Sequence, residues 1–234
     1  MKFQPHFLSK CLPAVALLVG MTITTGCGKA AEQTVISQSG EQREVKLPNG
    51  ADVILNAQSI LAFSSSTWEV KPEVELDGEA FFKVPKNKRF FINTRQGQLE
   101  AVHGNFNVYA RDALLEVQCV KGRVQVISPE SSEKVLLANS EQVSIQNGWM
   151  QERRGLSYSP AWFNGQSVFR DAPLARVLGE IGRQYGKVVV EADSLNGNFT
   201  GKFDHKNLDR ALAAVCSKAG LKYSVNGDTV RVRR

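Results

Sequence analysis

The sequence predicts a multi-domain β and α+β protein, with an all-β domain followed by a small α/β module. Three observations carry this expectation. From about residue 45 to 150 apolar residues recur with a period of two. Tripeptides ending in glycine, Pro48-Asn49-Gly50, Arg95-Gln96-Gly97 and Gln146-Asn147-Gly148, punctuate that region as turns. After Ser159-Pro160 the period becomes helical, and strand–helix–strand patterns follow.

The chain has 234 residues, enough for one large or two small domains. A hydrophobic content of 42% and a charged content of 22% place it with ordinary globular proteins. The formal net charge is +6, but the basic residues are dispersed, and the one dense cluster is Arg231, Arg233, Arg234. A solvated basic surface is the expectation, and no nucleic-acid partner is expected.

The N-terminal segment bears on compartment. Lys2 and Lys10 precede an apolar stretch at residues 12–23 without any acidic residue. Those 12 residues fall short of the roughly 20 needed to cross a bilayer, and they fit the core of a signal peptide over residues 1–26. Thr24-Thr25-Gly26-Cys27 resembles the lipobox of bacterial lipoproteins, although Thr24 replaces the usual leucine. That resemblance implies cleavage before Cys27, lipid on its thiol, and a place on the periplasmic face of a membrane. An uncleaved anchor and plain secretion stay open. Cys119 and Cys216 lie on apolar stripes and are expected to be buried free thiols; whether they form a disulfide stays open.

Residues 27–44 are polar and aperiodic, as a tether would be. In residues 73–84, Val74, Leu76, Gly78, Ala80, Phe82 and Val84 share one side of an extended chain. Glu73, Glu75, Asp77, Glu79 and Lys83 take the other, interrupted by Phe81; a half-buried strand pair is expected. Leu115, Val117 and Cys119, then Val124 and Val126, predict a hairpin turning at Gly122. The β domain is bounded at 45–150 and a linker at 151–164.

In the module, 165–234, a short strand at 167–169 leads to a helix capped by Asp171, with Pro173 in its first turn, Leu174, Val177, Leu178, Ile181 and Tyr185 on its face, and Gly186 closing it. Val188-Val189-Val190 predicts a buried strand. The second unit has a strand at 199–203 and a helix lined by Leu208, Ala211, Leu212, Val215, Cys216 and Ala219, with Gly220 stopping it. A hairpin around Asn226-Gly227-Asp228 ends the chain. Both helices are expected on one shared sheet.

Several segments resemble FecR-type periplasmic domains. They are Leu47-Pro48-Asn49-Gly50 with Val53-Ile54-Leu55-Asn56-Ala57, then Leu76-Asp77-Gly78-Glu79-Ala80-Phe81-Phe82-Lys83-Val84, and Val120-Lys121-Gly122-Arg123-Val124-Gln125-Val126. Phe169-Arg170-Asp171-Ala172-Pro173-Leu174, Phe199-Thr200-Gly201 and Leu208 with Ala211-Leu212 are similar to the short domain at the N-termini of secretins and signalling TonB-dependent transporters. The chain departs from the FecR pattern at His103, where the segment is one residue short, and at Asn139-Ser140-Glu141, which lacks a glycine. Only ten residues precede the apolar run, so the cytoplasmic segment that holds a sigma factor is expected to be missing. A separately encoded partner domain, or a misplaced start codon, stays open. The resemblance implies a sensor or adaptor in envelope signalling that bears indirectly on an extracytoplasmic-function sigma factor. Its implied partners are an envelope protein such as the signalling domain of a TonB-dependent transporter, or a sigma/anti-sigma system. The alternative is an envelope-assembly or wall-associated lipoprotein that oligomerises through the module.

No catalytic residue, metal ligand set or cofactor is expected. His103 and His205 stand far apart without Cys or carboxylate at ligand spacing, and no phosphate loop, nucleophile elbow or metalloprotease helix occurs. The stripe Glu73, Glu75, Asp77, Glu79 is expected to be solvated, with an acidic docking surface as the sharper reading and an enzyme acting on a wall polymer as the weakest. Trp149, Tyr158, Trp162 and Phe163 are expected at a packed hinge, a ligand groove being the sharper reading. Phe169, Arg170, Arg231 and Arg233 are the candidate partner-binding residues, with residues 229–233 as a free strand edge open to β-augmentation by an acidic partner.

Overall fold

Alternating sequence becomes strand where expected, in a computed structural model describing residues 32–154, 160–191 and 195–234. The first domain holds β1 (Glu32–Ser37), β2 (Arg43–Lys46), β3 (Asp52–Leu55), β4 (Ser59–Ser64), β5 (Glu73–Val84), β6 (Phe90–Thr94), β7 (Gly97–Arg111), β8 (Leu114–Ile127), β9 (Lys134–Leu137), β10 (Glu141–Gln146) and β11 (Trp149–Arg154). They form one sheet, antiparallel except where β5 runs parallel to β6. Its inner face supplies a single core. Phe82 stacks on Phe106 at 5.4 Å between ring centroids, and Trp68 bridges Phe63 and Phe90. Cys119 is a buried free thiol in this core, and burial pushes its pKa up to about 11.

Three expectations about this domain change. The expected tether is in part strand: β1 pairs with β4 and β2 with β3, so the domain includes residues before 45. Its polar sequence hid this because β1 buries Ser37 and half-buries Val35 while most of its other side chains face solvent. Residues 73–84 make one bent strand and not a strand pair. Gly78 bends it at φ +131°, and a Cβ there would stand 2.6 Å from Ser59. Gly122 is likewise no hairpin turn. It faces Gly104 across β7 and β8, both at positive φ, while Asp112 and Ala113 make the turn. Each glycine lets its strand backbone close on the other, where a Cβ would strike a main-chain carbonyl, of Lys121 or of His103.

The expected linker is also partly structured, by the end of β11 and by a 3-10 helix, Ala161–Asn164. The module follows with β12 (Gln166–Pro173), α1 (Leu174–Tyr185), β13 (Val188–Glu191), β14 (Asn198–Asp204), α2 (Leu208–Ala219), β15 (Lys222–Asn226) and β16 (Thr229–Arg233). The helices do not share one sheet. β12 pairs with β14, and a separate sheet runs β13-β16-β15. Asp171 does not cap α1. It sits at φ +51° in an irregularity of β12, its N–H donating to Thr200 Oγ1, and Pro173 occupies the cap position. α2 is capped by the Asn207 side chain, which accepts from the Arg210 N–H at 3.0 Å. β13 is not a buried strand, since Val188 is 62% exposed. Cys216 is a second buried free thiol, in the core of the module and apart from Cys119 in its own.

Gly104→Ala and Gly122→Ala combine positive-φ strain with a backbone clash, and each should cost about 3 kcal/mol of stability or more. Gly50→Ala, at positive φ with open space around it, should cost about 1 kcal/mol. Urea midpoints test this ordering; equal losses at all three sites would contradict the close-approach account.

Candidate functional site

Two cross-strand rows on the outer face of the β domain are not solvated. Glu79, Tyr109 and Glu116 form one row across β5, β7 and β8, and Phe81, Asn107 and Gln118 the next. The module covers them. α1 turns its apolar stripe of Leu174, Val177, Leu178 and Ile181 into its own core. A second stripe, Arg176, Glu180, Arg183 and Gln184, follows helical spacing and carries the contacts to the β domain.

The contacts run from an aromatic rim to a polar centre. Phe163 of the 3-10 helix meets Phe81 edge-on at 4.8 Å between centroids, and the Gln42 side chain donates to the Trp162 carbonyl at 2.7 Å. Such an aromatic pair adds about 0.5–1.5 kcal/mol beyond its burial. Arg176 reaches Glu116 at 2.5 Å, and its guanidinium lies 4.3 Å from the Tyr109 ring centroid. The Gly40 N–H donates to the Arg183 carbonyl at 3.1 Å, tying the β1–β2 loop to the end of α1.

At the centre stand two buried carboxyls, one from each domain. Glu79 accepts from Asn56 Nδ2 and Asn107 Nδ2, each at 2.8 Å. Glu180 accepts from Arg183 Nε at 2.9 Å and Gln184 Nε2 at 2.8 Å. Gln184 also donates to Asn56 Oδ1 at 3.1 Å, so two amides link Glu79 to Glu180 across the junction. Arg111 supports the wall of the site by donating to the carbonyls of Ala57 and Gln58, each at 2.7 Å.

The electrostatics differ for the two acids. Burial, and then the neighbouring Glu180 charge, push the Glu79 carboxyl above the ordinary carboxylate range. Burial alone would raise Glu180 too, but Arg183, Gln184 and Arg111 together hold it below that range. The arrangement favours one proton on Glu79 and a charge on Glu180. Tyr109 Oη, Arg111 Nε, Arg176 Nε, Arg183 Nη2 and Trp162 Nε1 are buried donors without an acceptor among the described residues. Each such group costs about 1–3 kcal/mol, so docking is a balance of large opposing terms.

Of the residues singled out by sequence, Glu79, Trp162 and Phe163 come together here, whereas Trp149 is 82% exposed on β11. Tyr158 and Cys27 lie outside the described residues. Glu73, Glu75 and Asp77 stay on the surface, with Lys71, Asn93 and Arg95 as partners. Phe169 is a core residue packed against Phe199 and Phe203, while Arg170 is exposed on β12. Arg231 and Arg233 are exposed, but residues 229–233 are not a free edge. β16 is the central strand of its sheet, because the parallel strand β13 returns along its other side. Ser167 Oγ and His205 Nε2 lie 2.9 Å apart; Ser167 is buried, and the pair ties β12 to the end of β14. No group of three or more His, Cys, Asp or Glu placed to hold a metal occurs among the described residues.

Opposite pH signatures follow. The contribution of Glu79 is present at low pH and falls as pH rises from the ordinary carboxylate value to its raised one. The contribution of Glu180 is present above its unfolded value and is lost as pH falls through its depressed one. Glu79→Gln should therefore remove the decline of stability that sets in as pH rises above the ordinary carboxylate value. Glu180→Gln, which leaves the buried Arg183 with only the longer 4.0 Å contact to the exposed Asp112, should cost about 3 kcal/mol at neutral pH. Urea unfolding between about pH 4 and 9 checks both, and matching losses for the two variants would contradict the assignment.

The sequence model of the FecR protein matches residues 33–125, and that of the FecR C-terminal domain matches residues 166–232. No curated protein matches the sequence. Two crystal structures of a candidate anti-sigma factor from Parabacteroides distasonis, at 2.50 and 1.65 Å resolution, are each 27% identical. They superpose with TM-scores of 0.80 and 0.78, covering 87% and 86% of this chain and 99% and 98% of theirs. The two matched domains span well over half of the sequence in the family's order, and the chain belongs to the FecR family.

Proposed function

We propose that this protein is a non-catalytic sensor or adaptor of FecR-type envelope signalling, acting by protein–protein contact. It works on the periplasmic face of a membrane, anchored by lipid on Cys27, and its effect on a sigma-factor system is indirect. Family membership supports the regulatory role. The observation that carries the mechanism is the docked junction, in which α1 belongs to the core of the module and to the polar site on the β domain. A partner that shifts the module pulls on Arg176, Glu180 and Gln184, and through them on β5, β7 and the β3–β4 turn. The sequence resemblance of residues 169–174 and 199–201 to the short domain of secretins and signalling TonB-dependent transporters favours an envelope protein as that partner.

Intact mass of membrane-extracted protein tests the placement. The expected mass is that of the chain from Cys27 plus lipid, abolished by Cys27→Ala; a full-length mass without lipid would overturn the lipid anchor. Arg176→Ala tests the relay. It should change the output of a sigma-dependent reporter while the protein level stays constant, and an unchanged output would sink the relay.

A further inference from the structure

The three-stranded sheet of the module, β13-β16-β15, is bare on one side. Residues paired across neighbouring strands share a face, so Lys222, Ser224, Asn226, Thr229, Arg231, Arg233, Val188 and Val190 lie together on the side away from the helices. No acid interrupts them, and Lys222, Arg231 and Arg233 have no ion pair among the described residues. The charge bias is general: residues 166–234 hold 12 Lys and Arg against 7 Asp and Glu, whereas residues 32–154 hold 14 against 16.

The opposite side of the same sheet is unfinished at one edge. Val230 and Val232 are fully buried under the helices, yet their partners Val225 and Tyr223 on β15 are 43% and 37% exposed. The helices leave these two side chains uncovered, an apolar shelf beside a strand edge that has no partner among the described residues. The other edge, β13, is less open, because a groove of about 260 Å³ beside it is also lined by Gln58 of the β domain.

We propose that β15 is a docking edge for an extended acidic segment of a partner protein, in which apolar and acidic residues alternate. Backbone pairing along β15 adds a fourth strand to the sheet. Because strand side chains alternate between faces, the apolar residues of the partner complete the cover over Tyr223 and Val225. Its acidic residues then fall beside Lys222 and on the same face as Arg231 and Arg233, one strand further in and within the field of those long side chains. This names the chemistry of the partner in the sensor reading and rests on that reading's contact role.

The probe is a labelled, end-blocked heptapeptide of alternating valine and glutamate, with a valine–lysine peptide as control, titrated into the intact protein by fluorescence anisotropy. Binding of the acidic peptide should weaken at least tenfold with Arg231→Glu plus Arg233→Glu, and again with Lys222→Glu, while the melting temperature holds. Amide NMR signals of β15 should shift more than those of β11, an edge strand in the sheet of the β domain. Absence of binding, equal binding of the lysine peptide, or shifts centred elsewhere would overturn the site. Self-association through β15, or binding of anionic lipid vesicles in place of the peptide, would overturn it too. The assay uses neither membrane nor reporter, so its failure removes this edge and leaves the sensor reading to its own tests.

Discussion

The hydrogen-bonded chain from Glu79 through Asn56 and Gln184 to Glu180 is the constraint on which the two-domain arrangement depends. Two carboxyls buried this close cannot both ionise cheaply. Arg183 and Arg111 stabilise the charge on Glu180, and the amides of Asn56 and Asn107 hold Glu79 in place. Satisfying those groups sets several elements at once: the turn after β3, the middle of β5, the register of β7, and the rotation of α1 about its axis. A helix rotated by one residue would bring apolar side chains to this polar centre and leave two acids without partners.

The junction is specific before it is strong. Its aromatic rim, Phe81 with Phe163, contributes ordinary burial energy, whereas its centre trades desolvation against charge and leaves several donors without an acceptor among the described residues. Removing one member of such a network is far more costly than its net contribution implies. An interface of this kind fixes one docked geometry and holds it with modest net stability, the condition under which a partner's binding energy can shift the position of a domain. Glu79 and Glu180 further make the docked state respond to proton concentration from both sides.

Much of the fold was legible in sequence, because one-sided burial writes its period into the chain. β4, β8 and β10 alternate, the α1 and α2 stripes are apolar, and Gly186 and Gly220 end their helices as expected. The failures share physical causes. β1 has too few buried side chains to show a period, and Gly122 reads as a turn because a glycine within a strand and one in a hairpin look alike locally. The place of β16 in its sheet depends on β13 returning beside it, a non-local pairing that no window of sequence contains. The candidate site was nearly illegible. The polar stripe of α1 resembles a solvated face, and Glu79 belongs to an acidic stripe whose other members are solvated. The one local sign was Phe81, an aromatic residue interrupting an otherwise polar strand face, together with Trp162-Phe163 beyond the end of the β domain.

The central claim is that this polar junction makes the β domain and the module one cooperative unit. Differential scanning calorimetry of the intact protein tests it most directly. A single transition, with calorimetric and van't Hoff enthalpies equal, is the result predicted here. Two separable transitions at neutral pH, one for each domain, would show that the junction does not couple them, and would contradict the account.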